Sequence, residues 1–270
     1  MIETASENIQ ETPLAKELQT AIEMDQLLIV YQPILNQKKE IVAIESLLRW
    51  YHPLYQFISP EIIIKTAEKM NLIDVLGEWV LRKSCKQLVQ WHQSGYLPRI
   101  NVNVSPLQFL DESLDSKIEN ILHETGLDSK YLELEITESK NMLEIENIVE
   151  KLNRLKRIGV SIAIDDFGTG YSSLEYLQQL PIDGIKIDKC FLKGLDLSDE
   201  KTFAIAKTII YLADLLNLEI IAEGVETDIQ YQFLVEQTCQ KFQGFYFYQP
   251  MNKDDTLDAF KRNQFLYEEG

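Results

Sequence analysis

The chain has 270 residues, 45% of them hydrophobic, enough to bury a sizeable core as one barrel or two smaller domains, with one barrel the preferred reading. Twenty-six Lys and Arg stand against 43 Asp and Glu, a formal net charge of −17, so no bulk field steers the surface toward DNA or RNA polymers or an anionic membrane. A small phosphate ester stays compatible, because bound divalent ions reverse the potential inside a carboxylate-lined cleft.

Residues 1–13 are polar and acidic, unlike a signal peptide, and read as a flexible arm or linker remnant. Residues 14–260 follow as one domain, with 261–270 as a tail. From Leu14, LAKELQTAIEMDQ has helical spacing, and LLIVYQPIL has the composition of a buried strand. A second strand, EIVAIESLLRW, leads into a Pro-punctuated loop, YHPLYQFISP, and two helical stretches from Glu61 to Gln93. Further strands are predicted at RINVNVS, YLELEIT, GVSIAID, DGIKID, LEIIAEG and KFQGFYF, separated by helices, with a last helix after Lys253. Lys207, Asp214 and Glu219 interrupt the most apolar stretch, so no membrane insertion is expected.

Eight strands in repeated βα units predict the α/β class, as a TIM-like (βα)8 barrel whose initial strand pair makes the first strand modified and antiparallel. Cys85, Cys190 and Cys239 have neither CxxC nor zinc-finger spacing and read as reduced thiols of a cytoplasmic chain.

Polar residues gather at the predicted strand ends: Glu45, Asn103, Glu135, Asp165, Asp166, Lys186, Asp188, Glu223, Glu226 and Gln243. In a barrel these positions share one rim. Singly, each has an ordinary explanation. Asp165 and Asp166 can cap a helix, Lys186 and Asp188 can form a simple ion pair, and Gly168 and Gly170 can serve a turn. Adjacent Asp165 and Asp166 must also splay apart unless their strand is ending. Gathered together, the carboxylates repel one another unless strong positive charge joins them, and oxygen ligands suit Mg²⁺ or Mn²⁺. Of His52, His92 and His123 only the first lies near the predicted rim, which disfavours a histidine-built zinc centre.

The ordered motifs YQPI (Tyr31 to Ile34), IESLLRW (Ile44 to Trp50), NVS (Asn103 to Ser105), EITES (Glu135 to Ser139), DDFGTGYSSL (Asp165 to Leu174), KID (Lys186 to Asp188), AEGVET (Ala222 to Thr227) and QGFYF (Gln243 to Phe247) closely resemble the EAL domain family of cyclic di-GMP phosphodiesterases. The resemblance runs from about Leu14 to Met251. It implies metal-dependent hydrolysis of cyclic di-GMP to linear pGpG, with two Mg²⁺ or Mn²⁺ ions in the active state. By the same resemblance Glu45, Asn103, Glu135 and Asp165 are the primary metal ligands, and Asp166 and Glu223 assist a second site. Lys186 positions the nucleophilic water and stabilises charge, since a cationic side chain is no general base. Asp188 orients that network. Arg49 resembles a phosphate contact, Gln32 and Gln243 nucleotide-facing residues, and Glu226 a residue near the water or guanine. Glu138 resembles the glutamate that holds the DFGTGYSS loop. A homodimer and an upstream sensory domain or regulatory protein are implied as partners.

Two departures stand out: Ser46 replaces the family alanine, and Gln56 stands where the loop often has glycine in HPxxG. An alternative reading is a low-turnover cyclic di-GMP receptor or interaction module, and another is a hydrolase of a different phosphodiester. The receptor reading would be marked by loss of Glu45, Asn103, Glu135, Asp165 or Lys186, and all five are present.

Overall fold

The computed structural model describes residues 11–137, 145–169, 174–193 and 200–268. Leu14, Leu18, Ala21 and Ile22 recur at helical spacing, and α1 (Glu11–Glu23) packs them into one cluster with Trp50, Ile58 and Ile63. The helix takes in the last three residues of the expected arm; residues 1–10 lie outside the described ones.

β1 (Leu28–Asn36) and β2 (Ile41–His52) form an antiparallel hairpin whose register sets Gln32 opposite Glu45. Part of the expected loop after β2 is instead a short strand, β3 (Gln56–Ile58), folded back antiparallel on the end of β2. The helices α2 (Pro60–Lys69) and α3 (Ile73–Gln93) then bring the chain to β4 (Arg99–Val104).

From there strands and helices alternate: α4 (Pro106–Leu110), α5 (Leu114–Thr125), β5 (Leu132–Thr137), α6 (Ile145–Ile158), β6 (Ser161–Phe167), α7 (Leu174–Gln179), β7 (Gly184–Ile187), α8 (Glu200–Leu215), β8 (Glu219–Ala222), α9 (Asp228–Glu236), β9 (Lys241–Phe242) and α10 (Lys253–Glu268). Strands β2 and β4 through β9 pair in parallel succession, and β1 closes the ring with antiparallel pairings to both β2 and β9. The barrel is thus eight-stranded with an inverted first strand, as the strand count predicts, and β3 is an appendage.

Strand parity separates the two faces of the wall. Ile100, Val102 and Val104 of β4 and Leu132, Leu134 and Ile136 of β5 pack outward with Leu88, Ile118 and Leu155 of the surrounding helices. Asn101, Asn103, Glu133 and Glu135 alternate with them and face inward. Ile34, Ala43 and Ile221 form a small apolar cluster of their own among the strands.

Residues 261–268 continue α10 rather than forming a tail, and Asn263 ties that helix to the β1–β2 turn by accepting from the Ile41 N–H at 2.9 Å and donating to the Lys39 carbonyl at 2.8 Å. Among the described residues no helix is long and apolar enough to cross a membrane.

Candidate functional site

Lys186 of β7 is fully buried, with its ammonium among carboxylates carried by four different segments. Its Nζ lies 2.5 Å from Glu223, 2.9 Å from Glu135, and 3.5 Å from both Glu45 and Asp165. Burial alone would discharge the amine, but Asp165, Glu135, Glu223 and Glu45 hold its pKa well above the usual lysine range.

The carboxylates divide around it. Burial pushes Glu135 well above the ordinary range against the pull of Lys186, with Glu45, Asp165 and Glu223 adding repulsion. Glu223, just past the end of β8 and anchored by its N–H to the Ile187 carbonyl, is pushed by burial to about 8. Glu45 goes the other way. Burial opposes its charge, but Lys186, the Gln243 amide at 2.6 Å and the Asn103 amide at 2.8 Å hold it below the usual value.

Asp165 and Asp166 should point to opposite faces of β6, and the backbone resolves that conflict. Pairing with β7 slips register between Ile164 and Phe167, and Asp166 takes a left-handed φ of 54°, so both side chains line one cleft. Oxygens of Asp165, Asp166 and Glu223 all lie within 4.8 Å of one another, a candidate cation-binding cluster. Burial, then Asp165 and Asp188, raise Asp166 to about 6.

The same cleft is lined by Gln32, Glu45, Asn103, Asp188, Glu226 and Gln243. Gln243 donates to both Glu45 and Gln32 at 2.6 and 3.1 Å, and Gln32 donates to the Tyr248 carbonyl. Asp188 accepts from the Cys190 N–H at 2.9 Å, capping a 3-10 turn at Lys189–Phe191. Glu226 precedes the capping box of Thr227 and Gln230 that starts α9, and its N–H donates to Gln230 at 2.7 Å. Gly224 has φ of 62°, and a Cβ there would lie 2.4 Å from that of Lys189, so the turn between Glu223 and Glu226 requires glycine.

Arg49 is not among the cleft-lining residues. It lies half-buried four positions beyond Glu45 on β2, its Nη1 donating to the Leu48 carbonyl. Glu138 and Gly170 to Ser173 lie outside the described residues. No histidine joins the site: His52 pairs with Glu17 of α1 at 2.6 Å, His92 meets the Pro98 carbonyl at 3.1 Å, and His123 is exposed on α5. The three cysteines are unbridged, with Cys85 and Cys239 buried.

Ser46 is buried, and its hydroxyl has no hydrogen-bond partner among the described residues. Gln56 adopts φ of 57°, a conformation that favours glycine. Sequence spacing does not single out Lys189 or Phe245 at the cleft, nor Asn101 and Glu133 beneath it. The last two do leave a signal: each stands two residues before an expected ligand, in N-V-N and E-L-E, and so shares its strand face.

The EAL domain family model matches residues 15–250 of this chain. The cyclic di-GMP phosphodiesterase NbdA of Pseudomonas aeruginosa is 41% identical over 244 residues, 90% of this chain and 31% of that protein. The bifunctional diguanylate cyclase/cyclic di-GMP phosphodiesterase MucR of the same species is 41% identical over 255 residues, 94% of this chain and 37% of that protein. The chain therefore spans about a third of the length of these relatives. The solved PaMucR phosphodiesterase in its c-di-GMP complex superposes with a TM-score of 0.86 at 40% identity, over 90% of this chain and 99% of that one.

Proposed function

This chain belongs to the EAL domain family, and on that premise we propose that it is a divalent-metal-dependent phosphodiesterase that opens cyclic di-GMP to linear pGpG. The observation that carries this reading is the convergence of Asp165, Asp166 and Glu223 above a buried, charged Lys186 in a single cleft.

The donor set fits Mg²⁺ or Mn²⁺. Glu45, Glu135, Asp165 and Glu223 surround one ammonium, and burial together with mutual repulsion raises Glu135 and Glu223, repulsion that a bound cation would offset. All donors are hard oxygens. Glu45, Asn103, Glu135 and Asp165 would hold one ion, and Asp166 with Glu223 would assist a second. Such ions supply Lewis acidity toward water and offset the charge of a phosphodiester.

The remaining roles belong to the protein. Lys186, kept protonated, orients the attacking water and compensates charge developing on phosphorus-bound oxygen. Asp188 orients that network, and by family resemblance Glu138 would hold the DFGTGYSS loop. Gln243 has a buried Oε1 with no partner among the described residues, an acceptor suited to a guanine N–H, and its amide is fixed by Gln32 and Glu45. Glu226 lines the cleft in which the substrate would sit, and the phosphate contact of Arg49 rests on family resemblance. The regulatory part of the proposal, a cytoplasmic homodimer answering to an upstream sensory domain or regulatory protein, rests on family resemblance.

The test is a time course of metal-stripped protein with cyclic di-GMP, alone and with Mg²⁺ or Mn²⁺, resolving products by chromatography. Formation of pGpG only when metal is restored is the expected result. Binding with the nucleotide left intact would replace the enzyme reading with a receptor.

A further inference from the structure

Beneath the cleft, the barrel interior carries a second polar layer. Asn101 of β4 is completely buried, and its single Nδ2 donates to Glu133 Oε1 at 2.7 Å and to Glu135 Oε1 at 2.9 Å, one hydrogen to each. Turning this amide over would set its carbonyl oxygen against Glu133 and Glu135 in their ionised forms, the forms in which they pair with Arg99 and hold a cation. Glu133 lies 3.6 Å from the Arg99 guanidinium, Arg99 also pairs with Glu219, and Glu219 pairs with Lys241 at 2.6 Å. A continuous chain of polar contacts therefore runs from the floor of the barrel through Glu133 and Asn101 to Glu135.

That chain reaches Glu135 on one oxygen only. Oε1 accepts from Asn101, whereas Oε2 faces Lys186 at 2.9 Å on the cleft side. With Oε1 held from below, the carboxylate is not free to rotate about its last bond. Asn101 thus stands to Glu135 as outer partners stand to ligating groups in metal sites generally, where their loss costs about 10–100-fold in affinity.

We infer that Asn101 is a positioning residue for the cation site: its amide, braced by Glu133 and Arg99, sets the rotation of the Glu135 carboxylate and thereby the affinity for a divalent cation. The inference rests on the metal-site reading above. Its readout is Mn²⁺ binding to the full chain without nucleotide, by calorimetry, for the parent, Asn101→Leu and Asn101→Ser, with folding checked by circular dichroism and thermal unfolding. A merely structural role would lower thermal stability equally with and without Mn²⁺ and leave the affinity of the folded protein unchanged. A positioning role lowers the Mn²⁺ affinity of folded variants by about 10-fold or more. Parent-like affinity, within twofold, in whichever variant folds would overturn the inference while leaving the metal site standing. A parent that binds no Mn²⁺ would overturn the metal-site reading first, and this inference with it.

Discussion

The Lys186 ammonium and the Glu223 carboxylate meet at 2.5 Å inside the barrel, although the cation is completely buried and the acid is pushed up to about 8. The contact makes Lys186 the internal counter-ion of a site built to take further positive charge. Replacing it with methionine of similar length leaves Glu45, Glu135, Asp165 and Glu223 without that compensation. Unfolding in denaturant at pH 8 should show Lys186→Met less stable than the parent by about 3–5 kcal/mol without metal, and by clearly less with excess Mg²⁺. Turnover should fall by about 100-fold or more even with metal present. A variant as stable as the parent without metal would contradict the counter-ion role.

The Glu223 pKa of about 8, against an ordinary 4.5, sets a pH window. Between those values the folded, metal-free protein keeps a proton on Glu223 that the unfolded chain releases. The contribution of Glu223 to stability is then greatest at the acid end of the window, falls as pH rises and levels off above about pH 8. Cation binding requires the ionised carboxylate and expels the proton, so apparent Mn²⁺ affinity should climb by up to about tenfold per pH unit toward pH 8 and then flatten. Calorimetric titrations at a series of pH values would show it, and Glu223→Gln should lower both affinity and slope. A flat affinity between pH 6 and pH 8 in the parent would remove Glu223 from the ligand set.

Much of this site is legible in the chain because the chemistry lies at strand ends and the strands run in order. Glu45, Asn103, Asp165, Asp166, Glu223 and Gln243 share one cleft, as eight strands closing into a barrel require. What local spacing does not carry is depth. Lys186 and Asp188 are two apart and look equivalent, yet Lys186 is sealed among four carboxylates while Asp188 caps a turn at the surface of the cleft, because only the first lies within β7. Parity likewise sets Asp165 and Asp166 apart, and only the register slip against β7 reunites them. Arg49 shows the reverse case: its strand is legible, but the Leu48 carbonyl that takes its guanidinium is not.

The two departures from the family pattern carry costs that point mutants can recover. The Ser46 hydroxyl is buried without a partner, so Ser46→Ala should raise the unfolding free energy by about 1 kcal/mol. Gln56 holds a left-handed backbone at φ 57°, and Gln56→Gly removes that penalty at the expense of a more flexible unfolded chain, for a net gain of about 0.5–1 kcal/mol. Denaturant titrations measure both. Neither change removes a cation-binding group, so Mn²⁺ affinity should stay within about threefold of the parent, well under the loss expected for a ligand or its support.

Asp166 couples strain to chemistry, and two substitutions separate them. Its φ of 54° is unfavourable for a side chain with a Cβ, and its carboxyl is pushed up to about 6 by burial and then by Asp165 and Asp188. Asp166→Asn removes the charge and keeps the strained backbone, whereas Asp166→Gly removes both. Above pH 6 each variant should gain from the relief of repulsion, and glycine should gain up to about 0.5 kcal/mol more, the cost of the left-handed conformation less the freedom glycine adds to the unfolded chain. Turnover should fall by about tenfold or more in both, because each loses the same carboxylate. Equal stabilities of the two variants would mean that the strain of the bulge in β6 is no larger than the freedom glycine adds to the unfolded chain. Retained activity in the glycine variant would mean that the bulge, and not the Asp166 carboxylate, is what the cleft requires.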